Sequence, residues 1–121
     1  MGLALVGSWA RGTPRVDSDV DLVLLTDDVA HYVDNDVWIL ELGATLIRTA
    51  LRGEIVERRL RWPSGLVVDV GVGSARWASI DPLDPGTRRV VTDGLSILHD
   101  PHGFLAALQR AVNAAQIAHG R

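Results

Sequence analysis

Asp19 and Asp21 flank Val20 at the start of the apolar run Leu22-Val23-Leu24-Leu25, and ten residues separate the pair Gly7-Ser8 from Asp19. In an extended segment successive side chains alternate across the pleat. Asp19, Asp21, Val23 and Leu25 therefore share one face, and Val20, Leu22 and Leu24 the other. The two carboxylates project together, with Cα atoms about 6 to 7 Å apart at roughly 3.3 Å per residue. Left bare, such a pair repels and one member keeps its proton. A divalent cation between them removes the conflict and supplies the hard centre that oxygen ligands favour. Upstream, Leu3-Ala4-Leu5-Val6 reads as a short buried strand that stops at Gly7, and Ser8-Trp9-Ala10-Arg11-Gly12 as one turn of helix. Backbone amides at that start, beside a residue small enough for close approach, suit an anion, and Ser8 adds a hydroxyl donor. The pattern predicts a combined metal and phosphate site. Arg11 has two readings, a phosphate contact or packing over Trp9, since a guanidinium serves both.

The elements that must position these groups are legible in the rest of the chain. Thr26-Asp27-Asp28 reads as cap and turn before a short helical segment from Val29 to Val33, and Asp36 to Leu42 as a possible second one. Thr45 to Ala50 and Glu54 to Arg61 have strand character, and Pro63-Ser64-Gly65 is a tight turn into the apolar strand from Gly65 to Gly71, forming a hairpin with the strand before it. Ser79 to Gly86, with Pro82, Pro85 and Gly86, is a loop that comes after a short helix at 75–78. Ile97-Leu98 is a last strand. From Pro101 to Ala118 the apolar positions Phe104, Leu105, Leu108, Ala111, Val112 and Ala115 repeat at helical spacing, with Asp100 as cap and Pro101 at the first helical position.

Gly7-Ser8, ten residues, then Asp19-Val20-Asp21 resembles the signature of the polymerase-beta-like nucleotidyltransferase superfamily, especially its minimal single-domain members. The resemblance implies an α+β fold, a mixed or antiparallel sheet with helices packed mainly on one face. It implies transfer of a nucleoside monophosphate, AMP from ATP in the first instance, to a hydroxyl of a small molecule or protein, with two magnesium ions as cofactors. It also implies a third carboxylate on a later strand, and the best match is Asp69, the only charge in Gly65-Leu66-Val67-Val68-Asp69-Val70-Gly71. A lone carboxylate in an apolar strand is costly unless a partner or a metal meets it. An ion pair with Arg58 or Arg61 on the neighbouring strand is the competing reading. The implied set is thus Asp19, Asp21 and Asp69 as catalytic and metal-ligating residues, with Gly7, Ser8 and Arg11 on the nucleotide. The stretch from Gly86 to Gly94 and on to Pro101 is similar, more loosely, to the segment after the core in aminoglycoside-adenylyltransferase-like proteins. In the superfamily a helix usually precedes the first strand. Here the chain starts almost on that strand, so the expectation is one domain over 1–121 lacking that helix, with a sheet face that a second copy would cover. Two rival functions share the motif: the antitoxin of a two-gene module, acting on a helical protein partner, and a nucleotide-binding protein without turnover.

The bulk numbers narrow the field. A chain of 121 residues suits one domain. It has no cysteine, which excludes a disulfide scaffold, a thiolate nucleophile and a sulfur-ligated zinc site. No basic leader opens it and no run nears the roughly 20 apolar residues of a membrane span, so the expectation is a cytoplasmic protein without a membrane partner. A net charge of -3 argues against a protein that grips nucleic acid through a basic field. Every basic residue is arginine, leaving any phosphate contact to guanidinium forks and backbone amides.

Several look-alikes fail. Asp17-Ser18-Asp19-Val20-Asp21 mimics a calcium loop, but Leu22 stands where that loop needs glycine and Asp28 where it needs glutamate, so Asp17 reads as a solvated loop residue. Gly71-Val72-Gly73-Ser74-Ala75-Arg76 lacks the last glycine of a dinucleotide fingerprint, and no phosphate-loop lysine comes after Gly12. Arg58, Arg59 and Arg61 read as a solvated strand face, His99 and His102 as capping or packing groups, and Trp9, Trp38, Trp62 and Trp77 as core or rim.

Overall fold

A computed structural model describes residues 1–13 and 19–119. The elements run β1 (Gly2–Val6), α1 (Gly7–Arg11), β2 (Val20–Leu25), α2 (Val29–Val33), α3 (Val37–Glu41), β3 (Thr45–Arg52), β4 (Ile55–Arg61), β5 (Val67–Gly73), a 3-10 turn (Ala75–Ala78), α4 (Pro85–Asp93), β6 (Leu95–His99) and α5 (Phe104–His119). The strands form one mixed sheet in the order β3-β4-β5-β2-β1-β6. Only β2 and β5 are parallel; the other neighbours are antiparallel. The fold is α+β, as the resemblance implied.

Strict alternation along the strands sends two apolar sets to opposite faces. On one face Ala4, Val6, Val23 and Leu25 pack with Leu95 under Trp77, Ala78, Val91 of α4 and Leu105, Leu108 and Val112 of α5. On the other, Leu24, Leu60, Val68, Val70 and Val72 pack under Ile39 of α3 and Ala44, with Val29, Tyr32 and Val33 of α2 alongside. The two long helices thus lie on one face, while the one-turn helices α2 and α3 cover part of the second.

Three local expectations need correction. Pro85 does not close a loop: it opens α4, because Asp84 accepts from the Thr87 amide at 3.0 Å and proline suits a first helical turn. Pro101 is not the first residue of α5, which begins at Phe104 after a turn. Asp100 nevertheless caps it from further out, accepting from the amides of Leu105 and Ala106 at 3.2 and 2.9 Å. Arg58 is no solvated residue. It is 2% exposed, and its guanidinium donates to the Tyr32 and Val33 carbonyls that end α2 and pairs with Asp36.

Candidate active site

The parallel register sets Asp21 directly beside Asp69, and the antiparallel register sets Arg59 directly beside Asp69 on its other side. Arg59, Asp69 and Asp21 therefore form a row across β4, β5 and β2 on the face that carries α4 and α5. Asp19, one residue before β2, joins the row through Arg59, whose Nη2 donates to Asp19 Oδ2 at 2.7 Å while Nη1 donates to Asp69 Oδ2 at 3.0 Å. The partner of Asp69 is thus Arg59, and neither Arg58, opposite Val70, nor Arg61, opposite Val67.

Gly7 makes the row fit against the chain turn at the end of β1. Its φ is +75°, and a Cβ there would lie 2.7 Å from Asp21 Oδ2, so only glycine serves both the backbone and the carboxylate. Asp21 and Asp69 floor a cavity of about 670 Å³, lined among others by Gly7, Arg11, Glu57, Trp77 and Thr87. Glycine at 71 keeps that floor low, since its neighbour Ile55 already stands where a Cβ would go, at 2.9 Å. Ser8, Asp19 and Arg59 are not among the lining residues. Arg11 reaches the cavity, and its Nη1 donates to the Asp93 carbonyl at the end of α4, 3.1 Å away. Asp17 lies outside the described residues.

The row is electrostatically strained. Burial, then repulsion from Asp69, Asp19 and Glu57, lifts the Asp21 carboxyl to about 6, against the weaker attraction of Arg59. Burial also raises Asp69, even though Arg59 pulls it down. Hydrogen bonding to Asp19 raises the Arg59 guanidinium. Asp69 Oδ1 is buried without a partner. Among the described residues no three His, Asp or Glu side chains stand together as a ready-made cation site, because the Arg59 guanidinium lies between Asp19 and Asp69. The residues still fit a hard cation: oxygen donors only, one of them orphaned, and one carboxyl raised by burial and by its acidic neighbours, which a cation would relieve.

Sequence reading misses Arg59, Glu57 and Trp77 as site residues. For Arg59 a signal exists. A hairpin folded about Ser64 pairs 61 with 67, 60 with 68 and hence 59 with 69. For the α4 wall, with Thr87 and Val90, nothing in the local sequence announces where that helix docks.

Comparison with family models matches residues 2–73, more than half the chain, to the nucleotidyltransferase domain. The chain belongs to that family, within the polymerase-beta-like nucleotidyltransferase superfamily. The matched span runs from β1 through β5 and so contains the whole carboxylate row. A search of curated proteins found no match.

Proposed function

We propose that this chain is a magnesium-dependent nucleotidyltransferase that moves a nucleoside monophosphate, AMP from ATP in the first instance, onto a hydroxyl of a small molecule or protein. The observation that carries this reading is the gathering of Asp19, Asp21 and Asp69 at two neighbouring strands beside a glycine turn, with Asp21 and Asp69 on the floor of a cavity of nucleotide size.

Asp19, Asp21 and Asp69 would hold two divalent ions, which when bound neutralise phosphate charge and lower the pKa of the attacking hydroxyl. The chain's own contribution is placement. Gly7 lets the backbone approach the triphosphate next to Asp21, Ser8 offers its hydroxyl and amide, and Arg11 presents a fixed positive charge at the same mouth. Val6, Val23, Ile55 and Trp77 give the cavity apolar walls that exclude water from the phosphates. The acceptor enters from the side of α4 and the β3–β4 turn, where Glu57 faces the row.

The test is a pyrophosphate-release screen with each nucleoside triphosphate against hydroxyl acceptors, including protein partners. Asp19→Asn and Asp21→Asn should each lose turnover by on the order of 10²-fold or more while melting as cooperatively as the parent. Turnover retained by either folded variant refutes the assignment.

A further inference from the structure

We propose that Arg59 is the resident counter-cation of the carboxylate row: its guanidinium holds Asp19 and Asp69 while no divalent ion is bound, and an ion enters by displacing it. This rests on the reading of those acids as cation ligands.

The geometry is unusual for a structural ion pair. Arg59 sits on β4 yet reaches Asp19 at the head of β2, so its side chain crosses β5, a span of roughly two strand spacings or about 9.6 Å. The guanidinium lies over Asp69 and forks, one nitrogen to each acid, where a bidentate pair with one carboxylate would be the tighter arrangement. It thereby takes the space between carboxylates that a cation needs.

Its neighbour Arg58 shows what a permanent anchor looks like here, 2% exposed and tied to two backbone carbonyls and Asp36. Arg59 has a side chain 26% exposed, and its hydrogen bonds run to the two acids. Solvent and ions can therefore reach it, and it can swing toward the cavity. One positive charge spread over a planar group also satisfies the row incompletely, since Asp69 Oδ1 stays buried and unpartnered. A compact divalent ion binds oxygens at about 2.0 to 2.1 Å and carries twice the charge. Arginine is thus strong enough to hold the empty row together and weak enough to yield.

Manganese titration calorimetry on chelator-treated protein tests this, with wild type, Arg59→Gln and Arg59→Lys. Arg59→Gln should bind manganese about 10-fold more tightly or better, and Arg59→Lys should fall between, because one ammonium cannot span both acids. In wild type, the Arg59 Nε–H resonance should shift on adding magnesium with the midpoint of ion binding, a readout that needs no variant to fold. Equal or weaker binding by folded Arg59→Gln, or an unmoved resonance while the ion binds, overturns the proposal and leaves the ligand reading standing. No binding by any of the three proteins overturns both.

Discussion

Asp21 is the residue whose chemistry is most exposed to measurement. Its folded value of about 6 lies above the ordinary 3.8, so the folded state binds the proton more tightly than the unfolded chain does. The stabilising contribution is full below the unfolded value and is lost as pH rises through about 6. Metal-free protein should therefore melt lower at pH 7.5 than at pH 5, and Asp21→Asn should flatten that slope. Solvent screening at this half-buried position reduces the effect to on the order of 1 kcal/mol, or about 3 to 6 °C in Tm at pH 7.5. Magnesium should reverse the order of the two proteins, because only the charged carboxylate binds it. Thermal melts with chelator and with magnesium check both signs. At Gly7 the expected change is steric. Gly7→Ala forces a side chain into left-handed backbone and against Asp21 Oδ2, and should cost about 1 to 3 kcal/mol in urea unfolding.

Among the elements, the join between β4 and α2 is the most sensitive to a single change. Arg58→Ala removes a fully buried side chain and takes the guanidinium donor from the Val33 carbonyl, while the Tyr32 carbonyl keeps only the Trp38 indole N–H, for an expected loss of about 2 to 4 kcal/mol. Asp36→Asn should cost clearly less, since the Asp36 side chain is 57% exposed and both carbonyls keep their donor. Denaturant midpoints of the two variants give the comparison. The sequence makes β1, β2, β5 and the last helix readable because each carries an unbroken apolar period, and the glycine turn and the spacing of Asp19 and Asp21 mark the site directly. Arg58 and Arg59 elude a sequence reading for a shared reason. Adjacent arginines on a strand look solvated, whereas one is swallowed by α2 and the other drawn across β5, and both destinations depend on tertiary register. Pro85 eludes it because proline marks a loop and a first helical turn equally well, and only the Asp84 cap decides.

At the scale of the molecule, the site is a gap between the sheet and α4. α1 and α4 are braced by the Arg11 bond to the Asp93 carbonyl, and the chain reverses tightly at Gly94, where a Cβ would meet Arg11 Cγ at 2.7 Å. Its floor should tolerate no added bulk. Gly71→Val would collide with Ile55 and should weaken ATP binding by about 10-fold or more, measured by calorimetry, with the fold confirmed by a cooperative melt. Among the described residues no helix is long and apolar enough to cross a membrane. The strand order carries one more consequence, for the order of assembly. Arg59 and Asp69 meet within a local hairpin, whereas Asp21 reaches Asp69 only after the chain has closed a far longer loop through the single parallel pairing of the sheet. Asp69 therefore acquires its arginine early, and its charge is escorted into place before the other acids arrive. In pulsed hydrogen exchange during refolding, amides of β4 and β5 should gain protection ahead of those of β2.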